Sequence, residues 1–302
     1  MTSSNPSTSH PWWDASPNHP EFERDSSEVS VADEGMWAVL ESKIAVGLIE
    51  PKPIPEPARQ CLTALRRPET AAVDIAAILA RNGTFGERFL ALAQAADWWP
   101  SSGNGAAALA AIGTRRLRLL TWAAGLAVSF DAVDRVEARA HVTRSVACAT
   151  ACAHVAARLD LDADAAWLAG FFHNAGRILV NGAAAELEAQ GWPIAQRIHF
   201  GSWKKRLCAI AGAELALSWD LPDDVVDGAS QHFDRLGPMT PDMALVALGT
   251  RITTRLRSRE EDDGGMVVTE AIVNGLRRDR LALLATLEGV DAAVDRACDL
   301  VN

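Results

Sequence analysis

Beyond the proline-rich run PKPIPEP at residues 51–57, the apolar residues of this chain recur at intervals of three and four. No stretch alternates them at intervals of two with β-branched enrichment. That pattern excludes a sheet and predicts a succession of amphipathic and buried helices. The spacing predicts helices over 57–66, 71–81, 84–96, 105–112, 114–128, 133–159, 163–182, 193–199, 204–219, 222–234, 241–257, 267–277 and 280–300, the last broken near Gly289. Breakers lie between them: Pro68, Asn82-Gly83, Pro100-Ser101-Ser102-Gly103, Asp160, Gly191-Trp192-Pro193 and Leu221-Pro222. With 49% hydrophobic and 23% charged residues, 302 residues suffice for a sizeable core. The expected fold is all-α, a compact multi-helix domain.

The flanks read differently. Residues 1–34 are rich in Ser, Pro, Asn and acids without any period, so the expectation is a disordered tail carrying the aromatic anchors Trp12, Trp13 and Phe22. Residues 35–50 form a lead-in helix with Trp37, Val39, Leu40, Ile44 and Leu48 near one face. Each proline of the following connector removes a backbone donor and biases its predecessor away from helix. SREEDDGG at 258–265 is a hydrophilic loop opening a C-terminal helical extension over 258–302, expected to pack on a domain spanning 51–257.

Charge and cysteine usage narrow the function classes. A net charge of −10 disfavours nucleic acid as a partner, because phosphate binding rewards clustered Lys and Arg. The basic runs at 114–118, 203–206 and 276–280 are short and sit beside acids. No apolar run reaches the length of a membrane span, and the N-terminus lacks a secretory signal, so no membrane partner and a cytoplasmic location are expected. The five cysteines, Cys61, Cys148, Cys152, Cys208 and Cys298, lie in apolar helical segments and read as reduced core thiols. Cys148 and Cys152 are spaced i, i+4, and with Cys208 and His232 they offer a zinc alternative whose spacing matches no zinc signature. No Walker loop, dinucleotide fingerprint or Ser-His-Asp arrangement is visible, and the chain has no Tyr.

Four stretches, in order, carry a family resemblance: IPEPARQCLTALRRPETAAVDIAAILARNGTFGERFLALAQAADW (54–98), AALAAIGTRRLRLLTWAAGLA (107–127), RSVACATACAHVAARLDLDADAAWLAGFFHNAGRILV (144–180) and AGAELALSWDLPDDVVDGASQHFD (211–234). Together they resemble the HDOD family, a signalling-associated branch of the HD superfamily. Catalytic HD proteins hold divalent metal with an upstream His, a His-Asp pair and a later Asp, and the metal activates water against a phosphoester. The resemblance puts Arg144 at the upstream His, His173 and Asn174 at the pair, and Thr250 at the late Asp. An auxiliary His position falls near Cys208, and another is kept as His232.

A hard cation seeks anionic oxygen or neutral imidazole. Asn174 and Thr250 bring no charge, and Arg144 brings the wrong one. The resemblance therefore implies a degenerate HD site with no cofactor, no metal and no catalysis. In that reading Arg144 fills the vacated position and hydrogen-bonds to Asn174 and a nearby backbone carbonyl. The expected role is regulatory, through contact with other signalling proteins by way of the acidic surface, the aromatic tail or the C-terminal helices. Two alternatives stay open. One is a metal-dependent phosphohydrolase using His173 with His141, Asp242 or His232. The other is a sensor taking a nucleotide or other phosphate-bearing molecule at Arg144.

Overall fold

The computed structural model describes residues 51–67, 69–101, 105–133, 135–191, 202–230, 239–258 and 268–301, together with Val39, Ser42 and Lys43. The tail over 1–34, the rest of the lead-in helix, the helix expected at 193–199, the loop after Ser258 and His232 lie outside the described residues. Every regular element among the described residues is a helix, as the apolar spacing predicts. In chain order they are α1 (Glu56–Ala64), α2 (Ala71–Arg81), α3 (Gly83–Ala95), α4 (Gly105–Ile112), α5 (Thr114–Val133), α6 (Arg135–Arg158) and α7 (Ala163–Phe172). Then follow α8 (Gly176–Ala189), α9 (Ser202–Ser218), α10 (Asp223–Ala229), α11 (Pro241–Ser258), α12 (Glu270–Leu276), α13 (Arg280–Ala285) and α14 (Val290–Asp299).

The centre of the molecule is α6. Val142, Val146, Ala147, Cys148, Ala149, Ala151, Cys152, Val155 and Ala156 are all buried, and α5, α7, α11 and α14 pack around it. A helix apolar on every side is one with neighbours on every side. Its small residues let those neighbours approach closely. A Cβ on Gly170 of α7 would stand 2.9 Å from the Ala149 Cα, and one on Gly249 of α11 would stand 2.5 Å from the Cys152 Sγ. One continuous hydrophobic core runs from Ala58 to Val301. The C-terminal helices join it through α14, where Cys298 Sγ donates to the Thr143 carbonyl at 3.8 Å and Arg255 pairs with Asp291 at 2.9 Å.

Several helices end the same way, on an aspartate in the left-handed region. Asp97, Asp160 and Asp220 have φ of 55–56°, and the next residue's N–H turns back to the carbonyl five positions earlier: Trp98 to Ala93, Leu161 to Ala156, Leu221 to Ala216. This closure satisfies the last carbonyls of the helix and returns the apolar residues Trp98 and Leu221 to the protein. Asp tolerates the left-handed conformation better than a β-branched residue would. The break expected near Gly289 is present, with φ of +74° between α13 and α14.

At the other end of a helix, Asp162 caps α7 by accepting from the Ala165 N–H at 3.1 Å. Burial raises its pKa, but that bond and the Arg115 guanidinium outweigh it and leave the carboxyl below its usual range. A depressed acid stabilises the fold above the unfolded aspartate pKa of about 3.9, and the gain is lost as pH falls through the folded value. Asp162→Ala is therefore expected to cost about 1 kcal/mol at pH 7 in urea melts. The gap to the parent protein should narrow in acid. The ion pair itself adds little, since Arg115 and Asp162 are roughly half exposed.

Candidate functional site

The segment from 163 to 182, expected as one helix, is two. α7 stops at Phe172, and His173, Asn174 and Ala175 turn the chain into α8. The reason lies across the interface. Gly176 presses on α9 so closely that a Cβ there would stand 1.8 Å from the Cys208 carbonyl oxygen and 2.6 Å from the Gly212 nitrogen. Within the turn, the Ala175 N–H bonds to the Phe172 carbonyl at 2.8 Å and the Arg177 N–H to the Asn174 carbonyl at 3.0 Å. His173 Nδ1 donates to the Gly170 carbonyl at 2.7 Å. A carbonyl only accepts, so Nδ1 carries a proton.

Opposite this turn, α6 presents Arg144, Cys148 and Cys152 at successive four-residue steps, and α11 presents Thr250. The residue at the centre of the cluster is Cys148. Its Sγ lies 3.9 Å from Cys152 Sγ and 3.6 Å from Thr250 Oγ1, and the His173 imidazole is near enough to act on it electrostatically. The Thr250 hydroxyl donates to the Val246 carbonyl of its own helix at 2.8 Å, so toward Cys148 it can only accept. Cys152 Sγ donates to the Leu245 carbonyl at 3.6 Å. Burial opposes ionisation of Cys148, but the neighbouring Cys152 thiol and the nearby His173 imidazole outweigh it and hold its thiol below the usual cysteine range. Cys152 is pushed the other way by its bond to Cys148, by burial and by the neighbouring charge. A thiol beside an imidazole can act as a nucleophile. Here both sulfurs have no exposed surface.

Of the two bonds expected of Arg144, the one to a nearby backbone carbonyl is present, from Nε to the Ala140 carbonyl at 3.1 Å, and among the described residues none joins it to the half-buried Asn174. The polar seam closes instead through Cys148, which the residue pattern assigns to the core. The signal available was its position one turn after Arg144 on the same face, next to a Thr-bearing helix. Cys208 reaches the region through its backbone, by the contact with Gly176.

The other proposed ligands stand apart. His141 is buried and stacks on Phe130 with centroids 5.0 Å apart. Asp242 sits in the first turn of α11, eight residues or roughly 12 Å of helix from Thr250. Burial, then the charges of Asp224 and Asp227, raise its pKa. Among the described residues no group of three or more His, Cys, Asp or Glu is arranged to hold a metal. The donors around His173 are a buried thiol pair, a neutral amide and a hydroxyl, and this set does not fit the hard divalent cation of HD chemistry.

An all-helical domain built on a buried central helix, with a His-bearing turn set against it, defines the class. The HDOD domain family matches residues 52–234, more than half of the chain, and the protein belongs to that family. The match stops short of α11, which carries Thr250. Three solved structures share the fold. A proposed metal-dependent phosphohydrolase from Shewanella amazonensis SB2B is 17% identical with a TM-score of 0.62, covering 86% of this chain and 100% of its own. A proposed phosphohydrolase from the same organism is 21% identical with a TM-score of 0.59, covering 86% and 98%. An HDOD domain protein of unknown function from Geobacter sulfurreducens is 17% identical with a TM-score of 0.59, covering 89% and 99%. No curated protein matches the chain. Among the described residues no helix is long and apolar enough to cross a membrane.

Proposed function

We propose that this HDOD protein is a non-catalytic signal-transduction protein that works by contact with other proteins. The observation that carries the reading is the chemistry around His173. Its neighbour Cys148 is a fully buried thiol, Thr250 spends its proton on its own helix, and Asn174 offers only a neutral amide. Such a seam supports packing between α6, α7 and α11 and supplies neither the charge to retain a divalent ion nor a route for substrate.

The fold neighbours proposed to be phosphohydrolases favour a second reading, metal-dependent hydrolysis of a phosphoester with His173 as ligand. Elemental analysis of the purified full chain, paired with a generic phosphodiester assay, separates the two. The expected result is divalent metal far below one equivalent per chain and no turnover above buffer. Stoichiometric metal that disappears in His173→Ala, together with turnover, would overturn the regulatory reading.

A further inference from the structure

A second concavity lies away from the His173 seam, where the N-terminal half of α5 meets the starts of α7 and α10. Its volume is about 510 Å³, within the range of small-molecule sites. Leu119, Leu168, Val225 and Pro222 give it apolar walls, and Arg115, Arg118, Asp162 and Asp224 stand around them. The three arginines of the run 115–118 are used unequally. Arg115 pairs with Asp162, and Arg116 pairs with Asp164 at 2.8 Å and covers the Trp98 ring at 5.3 Å. Arg118 lines the cavity and, among the described residues, has neither a carboxylate nor a hydrogen-bond partner.

One turn further along the same face, Trp122 also lines the cavity. It is 93% buried, being 7% exposed, and its indole N–H has no acceptor among the described residues. Buried donors are ordinarily satisfied, and an orphan in a cavity wall points to a missing acceptor. An anionic group seated on Arg118 places an acceptor one helical turn from that N–H. We infer that the cavity between α5, α7 and α10 binds a small amphipathic organic anion, its charged head on Arg118 and its apolar body against Leu119, Leu168 and Val225. The site is independent of the regulatory reading, since none of its residues belongs to the His173 cluster.

The probe is anilinonaphthalene sulfonate, an aromatic body with one sulfonate, titrated into the folded full chain while its fluorescence is followed. Saturable binding at one equivalent is expected, weakened about tenfold or more in Arg118→Ala, since a charge-assisted contact is lost. Ala165→Met, which narrows the cavity without touching its charge, should weaken it as well. Arg66→Ala, an exposed arginine outside the cavity, should leave it unchanged. Unsaturable binding, or equal affinity in the parent and Arg118→Ala, overturns the inference. So does equal weakening by Arg118→Ala and Arg66→Ala, which would mark a diffuse charge effect.

Discussion

Replacing Gly176 with alanine is expected to destabilise the protein by about 3 kcal/mol or more, at the upper end of what overpacking costs. The added Cβ would lie 1.8 Å from the Cys208 carbonyl oxygen and 2.6 Å from the Gly212 nitrogen. Both are backbone atoms, so no side chain can swing aside, and α8 and α9 must separate. A domain of this size has only roughly 5–15 kcal/mol in hand, so the variant should unfold at markedly lower urea concentration. Gly182 provides the contrast on the same helix. A Cβ there meets nothing within 4 Å, and Gly182→Ala should raise stability by about 1 kcal/mol through helix propensity alone. Equilibrium urea melts of the two variants read opposite signs from one chemical change. Equal and small effects would show that the α8–α9 approach is looser than described.

Phe171→Ala is the second large loss, about 3–5 kcal/mol. Phe171 has no exposed surface and stacks on Trp167 with centroids 5.4 Å apart and planes at 16°. The stack continues in both directions. Trp167 meets Trp98 at 5.1 Å, Phe171 meets Phe172 at 6.4 Å, and Phe172 meets the edge of Trp219 at 6.1 Å. Trp219 in turn donates from its indole nitrogen to the Lys52 carbonyl at 2.8 Å, tying the proline connector to the end of α9. Removing the middle ring leaves a cavity in a run of rigid side chains that cannot collapse into it. Urea melts read the loss directly, and the near-ultraviolet circular dichroism of the stacked rings should weaken in the folded variant. A cost below about 1 kcal/mol would mean that the stack contributes little beyond surface burial.

These two positions also show how far local pattern carries. Phe171 is legible as core because it sits in an unbroken apolar run, AAWLAGFF, where any helical face is buried. Gly176 is not legible as the point where a helix must break. A lone glycine inside a helical pattern is tolerated, and only the carbonyl of Cys208, brought up by another helix, makes the break necessary. For the same reason the sequence reading carries the helix through His173 and gives that side chain a mid-helix setting it does not have.

The candidate site divides along the same line. The family resemblance brings attention to Arg144, His173, Asn174 and Thr250, and the turn bearing His173 and Asn174 and the helix bearing Thr250 both pack against α6. What the resemblance does not supply is which side chains touch. Cys148 and Thr250 are 102 positions apart in the chain, so their contact depends on the crossing of α6 and α11. That crossing is close because Gly249 admits the Cys152 sulfur.

By itself, then, the sequence determines that the chain is helical and where most helices start and stop, and its resemblance to the HDOD family draws attention to Arg144, Asn174 and Thr250. Those properties are local, written in apolar period, in helix breakers and in the identity of single residues. Tertiary structure alone decides that Arg144 turns back on its own helix, that Cys148 stands near His173, and that Arg118 and Trp122 line a cavity with no partner among the described residues. Each of these rests on how closely two helices approach, a distance set by packing between residues remote in the chain and encoded in no single stretch of it.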